Sequence, residues 1–332
     1  TWRAAAVLYV LANFGFSGSF IFYESLLPQL ASGKAMDQLS TRAYAFGYAG
    51  GGLLLIINLL MVTKPEMFGL PDTAFAVRAS FVTVALWWGL FSIPLLRNVP
   101  EPKFDGQESA SGQHPNLKNT FTRLARTFRE IRQYPQLTLF LAAYWIYNDG
   151  IGTIVKMATI YGAEIGIGMT HLMGALVLTQ LIGIPFAILF GRLAGRIGVR
   201  PAILLALSIY GVISIGGFFL ATATHFYILA GFVGMVQGGA QALSRSLFAS
   251  MVPRHRTAEF FGFYSTSGKL AGVVGPLVFG LVGHLTGTSR LGILSLVVFF
   301  AVGGWLLTKV DPKLGSQTAR QAETDAGFAF AE

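Results

Sequence analysis

Two ionisable side chains, Asp149 and Lys269, stand deep inside long apolar runs of this 332-residue chain. Such a group costs about 2.5–3.5 kcal/mol to insert into a bilayer, so its retention asks for a function. At about 1.5 Å per helical residue, Lys269 falls close to the midplane and Asp149 slightly beyond it, toward the outer side. A carboxyl at that depth can take up a proton or hold a substrate amine, with Asn148 beside it; an ammonium can hold a substrate carboxylate. Plainer readings remain open. Asp149 could be a packing acid within Tyr147–Gly150, and Lys269 could pair with it structurally or change partner during transport. The amides Asn13, Gln180, Gln237 and Gln241 lie at similar depths, with Gln241 one turn from Gln237 on the same face. They could line a cavity or merely bridge helices. Lys156, nearer the outer surface, is expected to snorkel.

The elements that must carry these groups are membrane helices. Of all residues 53% are hydrophobic and 12% charged, against roughly 25% charged in a soluble domain. Nine segments are long and apolar enough to span, at about 4–30, 42–63, 75–96, 136–161, 171–193, 201–222, 226–248, 260–284 and 291–308. They are continuous apolar runs without strand alternation, so the fold class is an all-α membrane protein. Lys and Arg set the orientation: 18 of the 24 fall on one set of loops and the tail, and four on the other. The long 97–135 loop and the C-terminus are therefore assigned to the cytoplasm. That topology accounts for the net charge of +9, and no nucleic-acid partner is needed.

The expected organisation is three spans over 1–98, a cytoplasmic loop over 99–135, a six-helix bundle over 136–310, and a flexible tail over 311–332. Within the loop, Phe121, Leu124, Phe128 and Ile131 recur at helical spacing among arginines, which predicts an amphipathic helix on the inner leaflet. The chain opens at Thr1 with a span already under way, so about three further spans are expected upstream. Spans one to three also echo spans seven to nine. ESLLPQL (Glu24–Leu30) matches RSLFASM (Arg245–Met251), and each is followed by Phe-Gly-aromatic, at Phe46–Tyr48 and Phe261–Phe263. Glu24 and Arg245 thus occupy matching cytoplasmic ends, where they are candidate gate residues forming and breaking ion pairs. Parallel six-helix halves joined by a long loop would follow. The pairs Gly47/Gly51, Gly234/Gly238 and Gly268/Gly272 have the spacing of helix-packing surfaces.

At the third cytoplasmic loop, GRLAGRIGVR (Gly191–Arg200) resembles the loop signature of the major facilitator superfamily, with Gly195 where an acid usually stands. The resemblance makes Arg192 and Arg196 gate candidates, although the missing acid removes the usual locking partner. YWIYNDGIGTIVKMATIYGAEIGIG (Tyr144–Gly168), VQGGAQALSRSLFASMVP (Val236–Pro253) and EFFGFYSTSGKLAGVVGP (Glu259–Pro276) are similar to the branch containing the autophagy-related vacuolar amino-acid effluxers. NFGFSGSFIFYESLLPQLA (Asn13–Ala31) resembles its fourth span. The resemblance implies the twelve-helix fold with nine spans present, alternating access, and an amino acid as the first substrate to try. Peptides, sugars or other metabolites are the nearest rivals, and a non-transporting sensor or inactive fragment is a different class. Expected partners are a small-molecule substrate, a proton and the bilayer, in a monomer. The expected location is a bacterial inner membrane or a fungal vacuolar membrane. No cofactor or metal is expected: there are no cysteines, the five histidines are scattered, and no phosphate-binding GxxxxGK[ST] loop or other enzyme signature appears.

Overall fold

A computed structural model describes residues 2–100 and 127–327, and every regular element among them is helical. The first half contributes α1 (Trp2–Ser25), the single turn α2 (Leu27–Leu30), α3 (Gly33–Thr63) and α4 (Thr73–Asn98). The second contributes α5 (Pro135–Glu164), α6 (Met169–Ile197), α7 (Val199–Phe218), α8 (Ala223–Ser250), α9 (Thr257–Ala271), α10 (Val274–Thr286) and α11 (Ser289–Thr308), then α12 (Pro312–Asp325). Eight helical stretches among the described residues are long and apolar enough to cross a bilayer. The ninth expected span is α5, whose 30 residues reach about 45 Å; its polar load keeps it out of that set on composition.

Turn chemistry sets the boundaries. Asp72 caps α4 by accepting from Phe75 N at 2.7 Å, and Thr222 caps α8 by accepting from His225 N at 3.2 Å. Both satisfy donors that the first helical turn leaves unpaired. Between α6 and α7 the chain reverses through Gly198 at φ 93°, a conformation that favours glycine.

The core belongs to the second half. In it α5 packs on α10 and α11, α7 on α8 and α11, and α6 on α8. Tyr147, Tyr210, Phe140, Phe248, Phe260 and Phe261 are its largest fully buried side chains. The first half lies against this bundle through α3, which packs on α6 and α8, and through α1, which packs on α9. Within the most apolar stretches of α1 and α4 no residue is buried, so these helices turn apolar faces outward, where lipid or other apolar helices satisfy them.

Two expectations change. The 311–332 segment, expected as a flexible tail, contains α12, capped by Asp311 accepting from Lys313 N at 2.9 Å and Leu314 N at 3.2 Å. Gly315 and Ala319 are buried on it, and Glu323 accepts from Arg254 N at 2.7 Å. Small residues at its contact points let a polar helix dock on α5 and α8. Of the amphipathic helix, 121–126 lies outside the described residues. Its remainder at 127–131 seats Phe128 on Phe263 of α9, ring centroids 5.9 Å apart, and buries Ile131. Ile131 thus faces protein where lipid was expected, while Phe128 touches Phe263 and stays 38% exposed.

Candidate functional site

The ends of the two halves that the distribution of Lys and Arg assigns to the cytoplasm meet in a cluster of charges and tyrosines. Asp37, Ser40, Thr41, Tyr44 and Tyr48 recur at helical spacing on α3, which places them along one face toward the second half. Arg245, near the end of α8 and only 3% exposed, donates from Nε to Ser40 Oγ at 3.1 Å and from Nη2 to Ser40 O at 3.3 Å. Its guanidinium also lies 5.0 Å from the Tyr44 ring and 5.8 Å from the Tyr23 ring. Ser40 Oγ donates to Ala242 O at 2.7 Å, Ser246 Oγ donates to Asp37, and Gln29 Nε2 donates to Thr257 Oγ1 at 3.3 Å. All these contacts join the first half to the second.

Glu24 is buried in the same cluster. Arg245 and Lys269 both act on it electrostatically, and its charge is felt by Tyr44, Tyr144 and Tyr264. Tyr144 stacks on Tyr264 at 4.5 Å and meets Tyr147 edge-on at 5.6 Å. The Tyr147 hydroxyl is 2.7 Å from Ser244 Oγ. Lys269, exposed on α9, donates to Ser17 Oγ of α1. The geometry therefore brings Glu24 and Arg245 together, as their matching repeat positions suggest, but no direct salt bridge joins them among the described residues. Ser40 and two tyrosine rings hold the arginine.

Above this seal α3 and α6 stay in close contact to mid-depth. A Cβ on Gly191 would meet Thr41 Oγ1 at 2.2 Å, one on Gly183 would meet Tyr48 at 3.1 Å, and one on Gly52 would meet Gln180 Cβ at 3.2 Å. Gly191, first residue of the loop signature, thus lets α6 approach α3. Gln180 is an interface residue between the halves. Gln237, Gln241 and Asn148 are each half-buried. Asn13 is exposed and donates to Tyr9 O on its own helix at 3.3 Å. Arg192 and Arg196 are exposed at the end of α6, apart from the cluster and without an ion pair among the described residues.

Asp149 stands elsewhere, and the anticipated pairing with Lys269 does not form. It is 3% exposed, and its Oδ2 accepts from Gly275 N, near the start of α10, at 2.6 Å. The eighth span is broken: α9 ends at Ala271 and α10 begins at Val274. Lys156 does not merely snorkel either, since its Nζ donates to Gly272 O, at the end of α9, at 3.3 Å. Sequence reasoning missed Ser40, Tyr44 and Asp37, although their spacing on one helical face was a readable signal. Nothing in the sequence pointed to the Gly275 N–H.

A helical membrane bundle in two halves, sealed by polar contacts at one end, defines a transporter of the major facilitator type. The fold matches the Escherichia coli fucose:proton symporter FucP, with TM-score 0.57, 13% identity, and 87% of this chain and 72% of that one covered. It also matches a bacterial homologue of the iron transporter ferroportin in an outward-facing state, with TM-score 0.55, 17% identity, and 93% and 74% covered. More narrowly, residues 1–320 match the family described as "Vacuole effluxer Atg22 like", and the chain belongs to that family. The MFS-type transporter YxiO of Bacillus subtilis (strain 168) is 36% identical over 322 residues, covering 96% of this chain and 74% of that protein. Autophagy-related protein 22 of Yarrowia lipolytica is 28% identical over 316 residues. The chain spans 52% of that fungal relative's length. It is an integral membrane protein of a transporter family.

Proposed function

We propose that the chain carries the moving parts of a secondary transporter for a small zwitterion, an amino acid, working by alternating access in export or proton exchange. One observation carries this reading. Cations of the second half reach the first beside a buried acid: Arg245 bonds Ser40 and lies over Tyr23, Lys269 bonds Ser17, and Glu24, next to Tyr23 on α1, is buried. A zwitterion presents an ammonium for the carboxylate and a carboxylate for a cation, and tyrosine faces suit its apolar part. Glu24 takes the ammonium and Lys269, whose side chain is exposed, takes the carboxylate. Arg245, already bonded across the halves, holds the cytoplasmic end shut. The conformation is thus one closed at that end. The effluxer name in the family description and the symporter among the structural neighbours support transport as the class of activity.

The test is uptake and counterflow of a labelled amino-acid panel in proteoliposomes containing the protein that carries this chain. Lys269→Ala removes a charge-assisted bond worth about 1.5–3 kcal/mol, so KM for a neutral amino acid should rise roughly tenfold to hundredfold. A cationic amine lacking the carboxylate should be insensitive to that change. Uptake of no amino acid by a folded wild type would refute the substrate class and favour another metabolite or a non-transporting role.

A further inference from the structure

The break in the eighth span is held from one helix by two opposite charges. Asp149 and Lys156 are two turns apart on α5, about 10 Å along its axis. Asp149 reaches the first turn of α10, where unpaired N–H groups make a positive end, and Lys156 reaches the carbonyl of Gly272, the residue that caps the C-terminus of α9, a negative end. Each sign is the favourable one for a helix terminus. Interrupted helices of this kind are where transporters place ions, because freed backbone groups and helix ends supply the ligands.

The cap is incomplete in one respect. Asp149 Oδ2 holds Gly275 N, but Oδ1 is buried without any hydrogen-bond partner. A Cβ on Gly275 would lie 2.9 Å from that oxygen and 2.0 Å from Thr153 Oγ1, so α10 presses its backbone onto the carboxyl. Thr153 cannot serve Oδ1 in this arrangement, since its hydroxyl donates to Asp149 O at 2.7 Å. On the other side Gly150 abuts Phe299 and Phe300 of α11. A metal cation would need several oxygens, and among the described residues no acidic or histidine cluster can hold one. A proton needs only one.

We infer that Asp149 Oδ1 is a proton-binding site of this protein, coupled to the α9–α10 break. The assignment of a coupling role rests on the transporter reading above. On loading, an O–H bond forms at Oδ1 as one O–H bond of a hydronium ion breaks and leaves water, and no other covalent bond changes. The carboxylate becomes a neutral acid, its grip on the α10 terminus weakens, and the two half-helices are freed to move against α5. Discharge to water restores the clamp. Other charges around the site do not compete. On α10 the ionisable group is His284, and on α11 it is Arg290, each about 13 Å along its helix from the contact with α5. Lys269 of α9 is bonded to Ser17, and Arg245 of α8 to Ser40. Lys156 is the cation that acts on Asp149.

The chain has no cysteine, so a single Val273→Cys, exposed at the break, reports its opening by alkylation rate without any substrate. In the purified protein that rate, divided at each pH by the rate of free cysteine to remove the thiolate fraction, should rise roughly fivefold or more from mildly alkaline to mildly acidic buffer, as expected from neutralising a charge at a helix terminus. In Asp149→Asn, which keeps an acceptor for Gly275 N but cannot titrate, it should be high and flat. pH-difference infrared spectra should show a buried carboxylic-acid band that Asp149→Asn removes and Asp311→Asn retains. In vesicles, Asp149→Asn should keep substrate counterflow and lose accumulation driven by a pH gradient. A corrected labelling rate flat with pH in wild type, or an infrared band unchanged by Asp149→Asn, overturns the site. Failure of the amino-acid panel alone would sink the substrate reading and leave these two readouts decisive.

Discussion

Arg245→Ala is expected to abolish net transport and to leave the cytoplasmic end of the protein unsealed. The guanidinium is buried, and its partners all lie on the other half: Ser40 through two bonds, and the rings of Tyr44 and Tyr23. Hydrogen bonds to a charged group contribute about 1.5–3 kcal/mol, and a desolvated cation–π contact about 2 kcal/mol. Removing one partner of a buried charged cluster costs about 3–5 kcal/mol, because the groups left behind stay desolvated. These contacts exist only while the halves are together at this end, so the loss falls on the closed state and shifts its equilibrium by at least about a hundredfold. The effect is readable with Gln29→Cys, which sits in the seal beside Thr257. A membrane-impermeant maleimide offered from the cytoplasmic side should alkylate it much faster in Arg245→Ala than in the parent. Arg245→Lys should restore little, since an ammonium lacks the planar fork that reaches both Ser40 atoms. Unchanged alkylation with intact transport would show that the seal does not depend on this residue.

The physical origin of each feature decides how much of this was legible beforehand. Surplus apolar surface has no soluble explanation, so the spans and their orientation could be read directly. Glu24 and Arg245 were readable as a pair because they occupy matching positions in a repeat. A direct ion pair between them was expected and does not form among the described residues, since a guanidinium with five donors is satisfied as well by Ser40 and aromatic rings. Asp149 announced itself by its depth, but its partner is a backbone N–H of Gly275, and backbone donors are invisible in sequence until a helix breaks. The break hides too, because hydropathy runs on through Gly272 and Gly275, whose spacing looks like ordinary packing. Arg192 and Arg196 were singled out by a motif that here lacks its acid at Gly195, and the structure leaves both exposed. The polar composition of α12 suggested a flexible tail. Composition does not reveal that Gly315 can sit against Met251, where a Cβ would lie 2.6 Å from Sδ.

Gly234→Ile should be strongly damaging for folding, and its twin in sequence pattern, Gly47→Ile, should be harmless. Both glycines open a GxxxG, so sequence alone gives them equal weight. A Cβ on Gly234 would lie 2.7 Å from Thr179 O and 3.2 Å from Thr179 Cα, which are backbone atoms that cannot rotate away. Relief requires α6 and α8 to separate, and that opens further contacts along the same seam. Gly238, one turn on, seats Tyr48 and Ala187, and Gly239 lies on Phe190 with a would-be Cβ at 2.3 Å. Overpacking in a tight core costs about 1–3 kcal/mol, and more where neither side can yield. At Gly47 nothing lies within 4 Å of a built Cβ, and isoleucine is a better helix former than glycine by a few tenths of a kcal/mol. Detergent-solubilised protein should therefore melt several degrees lower and yield less monodisperse material for Gly234→Ile, while Gly47→Ile tracks the parent. If the two variants melt together, α6 and α8 do not meet through Gly234. The close seam that aligns Gln180, Gln237 and Arg245 along the second half would then have to be held by other residues.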